Sequence, residues 1–171
     1  MDVSQAISIR RSVRAYKTQD IDEEKLNKIL DAGRLAPSAS NAQQWKFVVV
    51  KDPETRVRLA QAASQQAFIG GAPVIIVACA TSQSNMFCGQ PRHTVDLSIA
   101  MSFMILQATE LGLGTCWIGA FDEGKVKSIL GIPESVRVVA ISPLGYPAIA
   151  TRPKPRKSIG EVVCYDRYTQ G

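Results

Sequence analysis

The sequence predicts one domain in which helices sandwich a β-sheet, of the α/β or α+β class. Three observations carry that expectation. Val74–Ala80 and Phe47–Val50 are unbroken apolar runs rich in β-branched residues, as buried strands require. Leu26, Ile29 and Leu30 recur at helical spacing, and the long segment Thr94–Leu111 is apolar nearly all round. The chain has 171 residues, 46% hydrophobic and 20% charged, which suffices for one sizeable core but not for two.

In chain order, Asp2 is placed to cap a short helix through Ile9, with Val3, Ala6 and Ile7 on one side. Arg10–Lys17 breaks that amphipathicity and reads as extended. Asp20 with Glu23 resembles a capping box opening a helix that ends before Pro37. Ser38–Gln44 is a polar loop, and Lys46–Lys51 is the first strand. Pro53 starts a helix to about Ala63, at a position where its missing N–H costs nothing. Val74–Ala80 follows as the second strand. Ser82–Arg92, with Gly89 and Pro91, is the longest irregular stretch and a candidate mobile lid. The helix Thr94–Leu111 ends at Gly112 and Gly114, and its apolar circumference includes Met101 as a position for partner contact. Thr115–Ile118 is short and apolar, Asp122 caps a helix ending near Gly131, and Val136–Ile141 is a third strand. Tyr146–Pro155 is an extended basic arm, and Glu161–Tyr165 has the composition of one more strand, offered to a partner subunit.

Composition excludes several function classes. The most apolar long segment contains Asp96, Gln107 and Glu110, so no membrane span is expected. The first residues lack the basic-then-apolar order of a signal peptide, which makes the cytoplasm the expected compartment. Cys79, Cys88, Cys116 and Cys164 form no CxxC pair. Cys79 and Cys116 lie in apolar runs and read as core, and Cys88 with His93 has no second pair to complete a metal site. The net charge of +5 is gathered at Arg10, Arg11, Arg14 and Lys17 and again at Arg152, Lys154, Arg156 and Lys157. Two short clusters around one small anion need no extended nucleic-acid surface, and aromatics are only 6%.

The motifs narrow this further. Arg10-Arg11-Ser12-Val13-Arg14 in extended form puts Arg10, Ser12 and Arg14 on one face, and guanidinium donors match phosphate oxygens; a solvated basic turn is the alternative. The loop Pro37-Ser38-Ala39-Ser40-Asn41-Ala42-Gln43-Gln44-Trp45 offers hydroxyls and amides suited to a heterocycle's edge, or merely to its own backbone. Leu111–Gly119 lacks the third glycine of a dinucleotide fingerprint, and a helix precedes it. Gly119–Lys125 approaches a phosphate-loop pattern but has Val126 where Ser or Thr is needed and two acids inside it, so a helix cap is the better account. The single histidine, His93, belongs to no Ser-His-Asp arrangement. So sparse an acid–base apparatus suits an enzyme whose cofactor carries the difficult chemistry.

Taken in order, RRSVRAY, PSASNAQQW, APVIIV, ATELGLGTCWIG and the late GYP with RPKPR resemble the nitroreductase family of FMN enzymes over nearly the whole chain. The resemblance implies an α+β three-layer sandwich with a central mixed β-sheet flanked by helices, and an intertwined homodimer. It implies one FMN-binding domain over residues 1–171, with 147–171 as an extended C-terminal arm. By position, Arg10, Arg11, Ser12, Lys154 and Arg156 would serve the FMN phosphate, and Arg14 would lie near the pyrimidine end of the ring as an electrostatic stabiliser of reduced FMN. Pro37, Ser38, Ala39 and Asn41 would come from the opposite subunit, with Gln66 nearby. Trp117, Ile118, Gly119 and Ala120 would pass beside the ring with backbone N–H near N5. No catalytic residue beyond the flavin and no metal is implied. The expected activity is hydride transfer from NAD(P)H to a nitroaromatic or quinone in two half-reactions at one site. Free-flavin reduction, dehalogenation or dehydrogenation on the same fold is the alternative, and a basic nucleic-acid-binding module is the remote one.

Overall fold

The computed structural model describes residues 1–169. Four strands, β1 (Trp45–Val50), β2 (Val74–Ala80), β3 (Gly114–Thr115) and β4 (Arg137–Gly145), form one sheet in the order β1-β2-β4-β3. Every strand pair is antiparallel, and the sheet's mixed character rests on a parallel bridge between Ser12 and Thr115. Central β2 is buried at all seven positions, which explains its unbroken apolar run: both of its faces are covered. Val74, Ile76, Ala78 and Ala80 point into a core shared with α2 (Glu23–Arg34) and α5 (Arg92–Glu110). Ile75, Val77 and Cys79 point into the opposite core, against α3 (Pro53–Ala62) and α6 (Glu123–Leu130). That alternation makes the three layers. A bulge opposite Ala78 and Cys79 inserts Val139 into β4 and shifts the pairing register by one residue.

Helix ends follow local chemistry. Asp2 caps α1 (Val3–Ile9) through a capping box with Gln5. The box expected at Asp20 does not form: α2 begins after Asp22, whose carboxylate makes no cap bond and instead lies 3.6 Å from Lys25 Nζ. Asp52 and Asp122 cap α3 and α6, and Gly131 closes α6 in the left-handed conformation (φ 65°). Among the described residues no helix is long and apolar enough to cross a membrane.

Two other expectations change. The segment expected as a mobile lid is a short hairpin, closed by an Asn85–Pro91 bridge and by Met86 N–H to Gln90 O at 2.8 Å, with Phe87 wholly exposed near its tip. Glu161–Tyr165 is not a strand. A single 3-10 turn at Ile159–Glu161 occupies this region, because Ser158 and Glu161 bond each other's backbone in a capping box.

The N-terminal strap, residues 10–17, is clasped on both sides. Val13 N–H donates to Thr115 O at 2.8 Å, while Lys17 N–H donates to Tyr146 O at 2.9 Å and Ala148 N–H to Ala15 O at 2.9 Å. Val13 is buried against Gly114, where an added Cβ would lie 2.8 Å from Val13 Cβ. Gly114→Ala is therefore expected to push the strap off β3 and to destabilise the fold by about 1–3 kcal/mol, read from the midpoint of urea unfolding.

Candidate functional site

The clasp brings together residues more than 130 positions apart. Arg10, Arg11, Ser12 and Arg14 from the strap and Arg152, Lys154 and Arg156 from the arm line one cavity of about 350 Å³. Six of these seven side chains are cationic, and the lining includes no carboxylate. Among the described residues none of the six forms a salt bridge. Unpaired guanidiniums converging on one hollow repel each other until an anion sits between them, and their donor geometry matches phosphate. Alternation along the strap produces this arrangement: Ser12 and Arg14 face out while Val13 is core.

Within the cluster the side chains are not equivalent. Arg11 Nη1 is committed to backbone, donating to Ser8 O at 2.7 Å and Arg10 O at 2.8 Å. Its capacity to hold a ligand is correspondingly smaller than the sequence suggests. Arg14 extends over the Phe68 ring, 6.0 Å from its centroid, which fixes the charge near α4 (Ala67–Gly70). Arg156 is exposed and, among the described residues, its side chain bonds only to Pro155 O, at 3.3 Å.

A second cavity of about 380 Å³ shares Arg10 and Ser12 with the first and continues along Thr115 and Trp117 to Ser102, Ile105 and Leu106 of α5. The exposed indole of Trp117 and these apolar walls suit a flat ring system. Beneath it the Cys116 thiol is buried. Burial raises its pKa, against the opposing pull of Arg14, the Ser12 hydroxyl and Arg10, so it stays neutral and acts as core.

The four residues Trp117–Ala120 divide in role. Ile118 N–H donates to Ile141 O at 2.9 Å and its side chain is buried, so Ile118 holds the segment to the sheet and has no N–H to spare for a ligand. Gly119 and Ala120 are exposed, and no bond of their N–H groups occurs among the described residues.

Pro37, Ser38, Ala39 and Asn41 line neither cavity; within one chain the structure does not bring them to the cationic cluster. Their loop is nonetheless tightly built. Ser40, Asn41 and Gln43 all have positive φ (54°, 51° and 51°), a conformation costing a non-glycine residue roughly 1–2 kcal/mol. Ser38 Oγ accepts Gln43 N–H at 3.0 Å, and Asp96 Oδ1 on α5 accepts Ala39 N–H at 3.1 Å. Gln66 likewise lies outside both cavities, its side chain donating to Ala63 O at 2.9 Å. Sequence reading missed Phe68, Asp96 and the α5 wall; the spacing of Ser102, Ile105 and Leu106 on one helical face was the available signal for the last.

A third hollow, between α1, α2 and α5, is lined by Val3, Ala6, Phe103 and Leu106. Phe103 is 41% exposed, whereas Met101, expected as an interface position, is 1% exposed and belongs to the core. The helical phase turns Met101 toward α2 and the sheet, leaving Phe103 outside.

Comparison with known proteins agrees with this architecture. The sequence model of the Nitroreductase family matches residues 7–69 and 62–146. A relative from Methanothermobacter thermautotrophicus, named as an unproven NADH dehydrogenase/NAD(P)H nitroreductase, is 38% identical over 152 residues, covering 86% of this chain and 78% of that one. The NADPH-flavin oxidoreductase of Vibrio harveyi is 31% identical over 178 residues, covering 97% of this chain and 74% of its own. The solved structure of an FMN-dependent nitroreductase from Clostridium difficile superposes with a TM-score of 0.84 at 31% identity, covering 95% and 98% of the two chains. With the family's sequence model spanning the strap and the whole four-stranded sheet, this chain belongs to the nitroreductase family.

Proposed function

We propose that the protein is a cytoplasmic, homodimeric NAD(P)H oxidoreductase with FMN as its resident cofactor, reducing nitroaromatic or quinone acceptors. The observation that carries this reading is the hollow lined by six unpaired cations beside an apolar, tryptophan-edged groove. The donor set fits the group: FMN phosphate carries nearly two negative charges, and the lining offers guanidiniums, an ammonium and a hydroxyl with no competing acid. Relatives named as flavin oxidoreductases and FMN-dependent nitroreductases support the same cofactor and donor. When bound, FMN supplies the hydride chemistry between donor and acceptor.

The chain's own residues bind, orient and tune. Arg10, Ser12, Lys154 and Arg156 hold the phosphate, with Arg11 bracing the strap that carries them. Arg14, fixed over Phe68, adds a positive charge that favours the more negative, reduced state of the neighbouring ring. Trp117 walls the groove, and the free N–H groups of Gly119 and Ala120 are available to the ring's polar edge. Residues 1–171 form one FMN-binding domain whose arm, 147–171, reaches a second copy. Ile149, Ile159, Val162 and Tyr165 of the arm are all exposed within one chain, as is Phe103, which supports a partner surface. In that dimer Pro37, Ser38, Ala39 and Asn41 complete the neighbour's site, with Gln66 close by.

The freshly purified protein is expected to be yellow and to release FMN; a colourless protein that takes up no added FMN overturns the reading. Arg156→Ala should weaken FMN binding roughly tenfold to a hundredfold, as loss of a charge-assisted phosphate bond implies, measured by flavin fluorescence on titration. Arg14→Ala should instead lower the reduction potential of bound FMN by on the order of tens of millivolts, read by spectroelectrochemistry, with a smaller effect on affinity. Phe103→Asp, unlike a charge at buried Met101, leaves the core intact and should shift sedimentation from dimer toward monomer while FMN is lost. A stable monomer with stoichiometric FMN would refute the shared site.

A further inference from the structure

We propose that Asp96 is a positioning residue for the neighbouring subunit's flavin site, acting through the loop 38–43. The inference rests on the shared-site reading and goes beyond it by naming what holds the donated loop in shape.

Asp96 lies on the second turn of α5, and its side chain belongs to a residue only 4% exposed. A carboxylate that deep requires a compensating donor. That donor is Ala39 N–H, 3.1 Å from Oδ1 and 57 residues away in sequence. The loop it clamps needs clamping. Three non-glycine residues, Ser40, Asn41 and Gln43, adopt left-handed backbone, a conformation that persists only where the surroundings over-determine it. Its other restraints, Gln43 N–H on Ser38 Oγ, Asn41 N–H on Ser38 O, Ala42 N–H on Ala39 O and Gln43 Nε2 on Asn41 O, are internal to the loop. Asp96 therefore links the loop to the rigid helix, and it does so on the same α5 that presents Ser102 and Ile105 to the groove beside Trp117. One helix thus sets both a wall of its own subunit's groove and the placement of the loop given to the other.

Asn at position 96 retains a side-chain carbonyl able to accept the Ala39 N–H, whereas Ala does not. Three variants test the assignment. Asp96→Ala is expected to raise the Kd for FMN about tenfold or more and to accelerate amide hydrogen exchange at residues 39–43 in the FMN-free protein, while Asp96→Asn stays near wild type in both. Ala39→Pro removes the donor while leaving the Asp96 carboxylate in place; Ser38 is already extended (φ −138°, ψ 155°), as a residue before proline should be. It should reproduce the loss, and it serves if Asp96→Ala fails to fold.

Mixed dimers locate the effect. A dimer of one Asp96→Ala chain and one Arg156→Ala chain contains one site with both defects and one with neither, so about half the sites should bind FMN with wild-type affinity. The control is a Ser38→Ala/Asn41→Ala chain mixed with Arg156→Ala. If the control restores half the sites and the Asp96→Ala mixture does not, Asp96 acts only within its own chain and the proposal falls alone. If neither restores any, the shared-site reading falls and takes the proposal with it. Wild-type affinity in both Asp96→Ala and Ala39→Pro, or an Asp96→Asn variant as damaged as Asp96→Ala, also overturns it.

Discussion

The cationic cluster in this chain depends on one main-chain arrangement, the clasping of residues 12–17 between β3 and the first residues of the arm. Backbone hydrogen bonds are indifferent to side-chain charge, so they can hold together groups that electrostatics would drive apart. Val13 N–H on Thr115 O and Ala148 N–H on Ala15 O fix the strap and the arm by bonds whose donors and acceptors carry no net charge. The cationic residues then have only a few rotatable bonds with which to avoid one another. Repulsion held this way favours an anion between the side chains, because an anion relieves a penalty already present before it arrives.

The three-layer core explains why the clasp is rigid. β3 has only two residues, too few to hold a strap alone, but it is bonded to β4, which is in turn bonded to the wholly buried β2. Gly145 and Gly114 allow the close approaches that this edge requires: a Cβ at Gly145 would press on Pro73 and Tyr16, and one at Gly114 on Val13. Tyr16 is half-buried, its hydroxyl donating to Val13 O at 2.8 Å, and desolvation raises its pKa so that it remains a donor. Side-chain chemistry on the strap is thus read against a fixed backbone.

Much of the fold was legible in the sequence, since periodicity reports burial directly. Val74–Ala80 was bounded to the residue because an apolar run between Pro73 and polar Thr81-Ser82 leaves little choice. The family resemblance, resting on five ordered segments, matched the comparisons. The basic clusters were legible as charge, but their meeting was not; it depends on hydrogen bonds between residues 13 and 115 and between 15 and 148, which no local pattern encodes. The same holds for Ile118, whose N–H is consumed by Ile141 through a pairing that no local pattern encodes. Met101 and Phe103 differ by two residues and point to opposite sides of α5, a distinction invisible when the helix reads as apolar all round. Asp20 caps nothing because the helix begins only at Glu23, three residues further on.

The clasp also fixes an order of events during synthesis. Translation delivers Arg10–Arg14 long before Arg152–Arg156, and the residues between them supply nearly the whole sheet. A nascent chain can therefore bury β2 and both cores while its strap waits with one bonded edge and half its cations. Closure needs a contact of very long sequence separation, the slowest kind to form. The six cations consequently meet only once the arm has been made, and a ribosome-bound intermediate, however native its core, carries only the strap's half of the cluster.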